Sequence, residues 1–191
     1  GGGNIFARDA QFRPGKAHEF GELTLAIDLE AARIWYQEAA EGGHDKAQCR
    51  LGFAYVYGHL GLKIDYDMAL IWFKEAAEGG HSMSQWRLGV AYEDGDLGVV
   101  TNFETARTYF QEAAEGGDPD AQHRLGEACE FGQLTLAIDL EAALKWYRQA
   151  AEGGDGTAQL RLGFAYEVGG LTLATDLEAA LECYQEAAKG G

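Results

Sequence analysis

Asp139-Leu140-Glu141-Ala142-Ala143-Leu144-Lys145-Trp146-Tyr147-Arg148-Gln149-Ala150-Ala151-Glu152-Gly153-Gly154 is the stretch that decides the fold of this 191-residue chain. Asp139 is a helix N-cap by type, and Glu141 sits in the first turn, where the helix dipole favours an acid. Leu140, Ala143, Trp146-Tyr147 and Ala150-Ala151 recur at helical spacing and form one apolar stripe. Gly153-Gly154 ends the helix. The same glycine pair stands at Gly42-Gly43, Gly79-Gly80, Gly116-Gly117 and Gly190-Gly191, always 37 residues from the next. Asp28, Asp65, Asn102 and Asp176 fill the slot of Asp139.

Working outward, the residues before this helix contain a second one. Ala47-Gln48-x-Arg50-Leu51-Gly52-x-Ala54-Tyr55 puts its apolar positions on one face, and Gly58 is placed to close it with a left-handed cap. In the copy that starts at Asp118-Pro119, an N-cap is followed by proline at the first helical position. The loop between the two helices, such as Gly132-Gln133-Leu134-Thr135-Leu136-Ala137-Ile138, alternates like a strand. An isolated seven-residue strand has no partner in a helical array, so Leu23, Leu60, Leu97, Leu134 and Leu171 are expected to tuck the loop against the helices. The chain therefore reads as a tail, residues 1–6, and one domain, 7–191, of five repeats (7–43, 44–80, 81–117, 118–154, 155–191).

A single helix pair cannot bury its own stripe, but stacked copies bury a continuous core. The expected fold is all-α: a right-handed alpha-solenoid of five 37-residue helix-turn-helix repeats. Small residues at fixed positions (Ala32, Ala69, Ala106, Ala143, Ala180; Gly52, Gly89, Gly126, Gly163) let helices approach. Trp35, Trp72, Tyr109 and Trp146 are expected to fill the space beside them. Pro14 falls inside the first helix, which is expected to start late or fray there.

These residues resemble the Sel-one-like repeat, a relative of the tetratricopeptide repeat, with the pattern A-x-x-x-L-G-x-x-Y-x-x-G, a loop with Asp, then A-x-x-W-[YF]-x-x-A-A-x-x-G. The chain supplies Ala47, Leu51, Gly52, Tyr55 and Gly58, then Asp65, Ala69, Trp72, Phe73, Ala76, Ala77 and Gly79, and the match recurs over residues 7–191. Departures are Ser84 for the helix alanine, Cys129 and His18 for the tyrosine, Cys183 for the tryptophan and Pro14 for the leucine. The paired cysteines of the family's disulfide-bearing secreted branch are absent. The resemblance implies an adaptor or scaffold for protein partners. By the same resemblance the first helix of each pair lines a concave face, which assigns the partner-binding positions to Phe53, Tyr57, Trp86, Val90, Glu93, His123, Glu127, Glu130, Phe131, Phe164 and Glu167. An acidic, aromatic face of this kind suits a peptide with apolar anchors and Lys or Arg.

The charge balance agrees. A net charge of -16, from 31 acidic and 15 basic residues, repels nucleic acid and anionic membranes and leaves a protein partner, basic by preference. No apolar run is long enough for membrane insertion. Cys49, Cys129 and Cys183 show no metal or disulfide spacing, and no cofactor is expected. With no sequon and no visible leader, a cytoplasmic location is favoured. Arg13, Arg50, Arg87, Arg124 and Arg161 recur beside a glutamine; the regularity reads as structural ion pairing in preference to an anion ladder. His44 and His81 occupy one repeat position, the N-cap slot that Asp118 and Asp155 fill elsewhere. No nucleophile elbow, phosphate loop or zinc helix is present, so an enzyme is not expected. Two alternatives stand beside the adaptor: a module that self-associates end to end, and a regulatory repeat domain of a larger enzyme.

Overall fold

Ten helices follow one another in the computed structural model, which describes residues 5–23 and 25–189. They are α1 (Ile5–Phe20), α2 (Leu29–Glu41), α3 (Asp45–Tyr57), α4 (Tyr66–Glu78), α5 (Ser82–Asp94), α6 (Phe103–Glu115), α7 (Pro119–Phe131), α8 (Leu140–Glu152), α9 (Gly156–Val168) and α10 (Leu177–Lys189). No strand occurs among the described residues. Tail positions 1–4 and the last glycine pair, Gly190-Gly191, lie outside them, while α1 already starts at Ile5. The chain forms two compact units, Gly1–Val100 with α1 to α5 and Thr101–Gly191 with α6 to α10. Within each unit every helix packs on the one before and the one after it.

The helix ends carry the repeat chemistry. Asp28, Asp65, Asn102 and Asp139 each accept the backbone N–H three residues on, satisfying a donor that the helix itself cannot. At the other end His44 N–H donates to Ala39 O and Gly43 N–H to Ala40 O, the paired bonds of a Schellman motif. This places Gly43 at φ 80°, and its equivalents Gly80, Gly117 and Gly154 at 85°, 87° and 92°. In these four pairs only the second glycine is thus held in left-handed backbone, where a side chain is disfavoured.

The loop leucines behave as expected in four repeats. Leu60, Leu97, Leu134 and Leu171 are at most 4% exposed, although their φ of 50–55° costs a non-glycine residue about 1–2 kcal/mol. Burial offsets that cost: Leu60 enters a cluster with Ala32, Tyr36 and Ala39 of the preceding pair, and Leu171 one with Ala143 and Tyr147. Leu23 adopts the same backbone but stands exposed, since no preceding pair lies among the described residues to receive it.

Two expectations are corrected. The residues that fill the space beside the small positions are not Trp35, Tyr109 and Trp146, which are half-buried, but their neighbours Tyr36, Phe73, Phe110 and Tyr147, each at most 1% exposed. A Cβ on Gly52 would lie 2.7 Å from the Phe73 ring, one on Gly126 2.8 Å from Tyr147, and one on Gly15 2.8 Å from Tyr36. The ring packs directly on the opposing helix backbone. Trp72 alone of the named set is buried. The second correction is Pro14, which α1 runs through without ending. Packing of Gly15 under Tyr36 and burial of Ala17 hold α1 despite the lost hydrogen bond.

The first-helix caps differ in chemistry between the units. In unit Thr101–Gly191, Asp118 and Asp155 accept from Ala121 N–H and Ala158 N–H. In unit Gly1–Val100, imidazoles do this work: His44 Nδ1 accepts from Ala47 N–H at 3.2 Å and His81 Nδ1 from Ser84 N–H at 3.3 Å. Such a nitrogen must be unprotonated. Burial holds the His81 pKa below the ordinary histidine value; nearby Asp45 opposes this, while Lys46 and His44 reinforce it. A depressed histidine pKa means that the unfolded chain takes up the proton first. This contribution to stability is therefore full above about pH 6.5 and lost as the pH falls below it. Thermal unfolding at pH 7.5 and 5.5 should show a smaller acid loss for His81→Asp than for the wild type, by about 1 kcal/mol, the worth of one cap. Equal losses would show that the imidazole cap does not titrate.

Candidate functional site

The expected partner positions on the first helices are half-buried or exposed, except Glu130. In unit Gly1–Val100, Phe53 of α3 is half-buried, edge-on to Phe73 at 5.0 Å between centroids and parallel to Tyr57 at 6.2 Å. Tyr57 is 58% exposed. Trp86, Val90 and Glu93 of α5 are half-buried. Cys49, on the same row as Trp86, is buried, and burial pushes its thiol up to about 11, with the nearby Ser84 opposing and Asp45 adding to the shift. It is a core residue with little thiolate.

In unit Thr101–Gly191, His123 of α7 lies 5.7 Å from the Tyr147 ring, and Glu127 reaches Arg124 at 3.6 Å. Phe131 is 57% exposed. On α9, Phe164 is 50% exposed and lies beneath the Arg161 guanidinium at 5.5 Å. Glu167 is exposed and accepts the Tyr184 hydroxyl at 2.7 Å.

Glu130 is the exception among the expected partner contacts. It is buried, accepts the Tyr147 hydroxyl at 2.9 Å and Arg161 Nε at 2.9 Å, and also holds Arg161 NH2. A buried carboxylate needs such partners, and Glu130 finds them inside the fold. Burial in turn pushes the Tyr147 hydroxyl well above its ordinary pKa, with Glu127 adding to the shift. Glu19 repeats the arrangement with Tyr36 at 2.7 Å and Arg50 Nε at 3.0 Å. A signal for this was present in the sequence. Tyrosine stands seventeen residues after glutamate at 19/36, 130/147 and 167/184, and where Val56 replaces the acid, Phe73 replaces the tyrosine. The hydroxyl and the acid go together at these three pairs and are both lost at Val56 and Phe73, while Glu93, seventeen residues before Phe110, departs from the pattern.

Three members of the arginine row are structural as well. Arg50 and Arg161 bind the preceding glutamate, while Arg87, facing Val56 in that register, turns to Asp96 at 2.5 Å. The neighbouring glutamines Gln48, Gln85, Gln122 and Gln159 each donate to a carbonyl at the end of the preceding second helix, at 3.0–3.2 Å. Among the described residues no group of three or more His, Cys, Asp or Glu is arranged to hold a metal, and no helix is long and apolar enough to cross a membrane.

With this geometry in place, comparison with known proteins supplies the family. The Sel1 repeat matches five times, at residues 8–44, 45–81, 82–118, 119–155 and 156–191, one residue later than the glycine count places the boundaries. A Sel1 repeat protein from Oxalobacter formigenes superposes with a TM-score of 0.87 at 31% identity, over 96% of this chain and 73% of that one. A protective antigen of uropathogenic Escherichia coli strains with an SLR fold gives 0.80 at 32% identity, over 96% of this chain but 38% of its own. A putative Sel1 repeat protein from Klebsiella pneumoniae shares the fold at 22% identity, with a TM-score of 0.55 over 96% of this chain and 87% of its own. Comparison with curated proteins found no match. Sel1 repeat proteins generally mediate interactions between proteins. Five consecutive matches over nearly every residue, with ten helices and no strand among the described residues, give an all-α repeat solenoid: the chain belongs to the Sel1 repeat family.

Proposed function

We propose that the chain is a non-catalytic adaptor that holds a peptide or protein partner on the outward faces of its first helices. One observation carries this reading. Packing positions repeat with near-identical residues, whereas outward first-helix positions change from repeat to repeat and leave Tyr57, Phe131 and Phe164 at 58%, 57% and 50% exposure. Interior packing must be alike in every repeat; a recognition surface need not be. Phe53, Tyr57, Trp86, Val90 and Glu93 form the face in one unit, and His123, Glu127, Phe131, Phe164 and Glu167 in the other. Half-buried aromatics offer apolar anchorage, and the carboxylates favour Lys or Arg on the partner. The binding role is further supported by the fate of the reactive side chains: Cys49 is a buried thiol, and His44 and His81 are committed to helix caps.

Trp86 is the anchor to test. After a partner has been isolated with the intact chain, titration calorimetry should show Trp86→Ala weakening binding by at least tenfold, roughly the effect of one hot-spot aromatic. Unchanged affinity in a folded variant would remove α5 from the binding face.

A further inference from the structure

We propose that a hollow on the first-helix side of unit Gly1–Val100 binds a carboxylate of an acidic, partly apolar peptide. The hollow measures about 650 Å³ and is lined by Asp9, Ala10, Phe12, Arg13 and Lys16 of α1 and Lys46 of α3. Three cations thus meet in a chain of net charge -16. This inference goes beyond the aromatic face described above and does not depend on it.

For the two lysines the repeat register argues against a packing origin. Positions equivalent to Lys16 hold Phe53, Val90, Glu127 and Phe164; those equivalent to Lys46 hold Asp9, Met83, Asp120 and Thr157. A charge that the fold required would recur. Nor is the positive charge fully neutralised in place. Arg50, Arg87 and Arg161 each hold a carboxylate, but Arg13, their equivalent, makes no ion pair among the described residues. Lys46 is exposed, and its ammonium has no acid partner there. Lys16 reaches Glu22 at 3.6 Å across two half-exposed side chains, a pair that a ligand can exchange at little cost. The one carboxylate of the lining, Asp9, is held by His44 Nε2 at 3.1 Å.

Phe12 gives the hollow an apolar wall. Its ring stacks on His44 at 4.6 Å and 13°, so it is braced from behind. Cations around an aromatic wall match a carboxylate beside an apolar side chain. Nucleic acid is a poorer occupant, because the acidic remainder of the surface repels an extended polyanion.

The probe is a fluorescent hexapeptide with one glutamate between leucines, measured by anisotropy in 25 mM and 150 mM NaCl. Binding should weaken several-fold at the higher salt, as expected for a surface ion contact. Lys46→Glu and Arg13→Gln should each weaken it about tenfold or more, while Lys63→Glu, an exposed loop change of the same charge, should not. Replacing the peptide's glutamate with glutamine, or amidating its C-terminus, identifies which carboxylate is held. Equal binding by a peptide with both groups neutralised overturns the proposal, as does an equal effect of Lys46→Glu and Lys63→Glu. All three positions are exposed, so helical circular dichroism should be unchanged and loss of binding is separable from loss of fold.

Discussion

Phe73→Ala should cost about 3–5 kcal/mol of stability, read as a shift in the urea midpoint, whereas Trp35→Ala and Trp146→Ala should cost clearly less. Phe73 is fully buried, and its ring lies so close to the α3 backbone that a Cβ on Gly52 would come within 2.7 Å of it. Removing the ring leaves a void bounded by helix backbone, which cannot collapse as side chains do, and Phe53 loses its edge-on neighbour at 5.0 Å. Trp35 and Trp146 are half-buried and leave no sealed cavity when truncated. The complementary change, Gly52→Ala, drives a methyl into the ring and should cost about 1–3 kcal/mol by overpacking. A loss below about 1 kcal/mol for Phe73→Ala would mean that the ring does not hold the helix pair together.

That ranking of the two adjacent aromatics was hidden in the sequence for a geometric reason. Trp72 and Phe73 are one helical step apart, and a 3.6-residue stripe is wide enough to admit both. The larger residue attracts the assignment, but the ring that fits against glycine is the next one along the helix. What was legible was whatever recurs: the glycine pairs, the aspartate caps, the His44 and His81 cap slot and the loop leucines all follow from a period with no insertions. Local propensity alone breaks α1 at Pro14, whereas the packing of Gly15 against Tyr36, which holds it, is tertiary. The cationic hollow was invisible for a related reason: Arg13 and Lys16 come from one repeat and Lys46 from the next, so no window of the sequence displays them together.

Glu130 shows how variation between repeats can mislead. Its row, Glu19, Val56, Glu93, Glu130 and Glu167, changes along the chain and so resembles a recognition surface, yet at Glu19 and Glu130 it is interior. The change at Val56 is compensated on the opposite helix, where Phe73 lacks the hydroxyl that Tyr36 and Tyr147 present to their carboxylates. Two packing solutions therefore occur at this position, a polar pair at Glu19 and Glu130 and an apolar pair at Val56, while Glu93 with Phe110 follows neither.

These two solutions should be interchangeable in unit Thr101–Gly191. Glu130→Val alone removes the acceptor of the Tyr147 hydroxyl and of the Arg161 guanidinium, and should cost about 2–4 kcal/mol. Adding Tyr147→Phe recreates the Val56 and Phe73 pair and should return about 1 kcal/mol by removing the orphaned hydroxyl. Arg161 still lacks an acid. Arg87 solves the same problem with Asp96 at 2.5 Å, and the equivalent position is Gly170, whose Cβ would meet nothing closer than 3.6 Å. Gly170→Asp on the double variant should recover more again. Chemical denaturation of the single, double and triple variants should rank them in rising stability. A double variant no more stable than Glu130→Val would refute the exchange of polar for apolar pair. The series also separates packing from recognition: if Glu130 acts only inside the fold, the triple variant keeps full affinity for any partner of the first-helix face, whereas a residue that touched the partner would lose affinity however well the fold were restored.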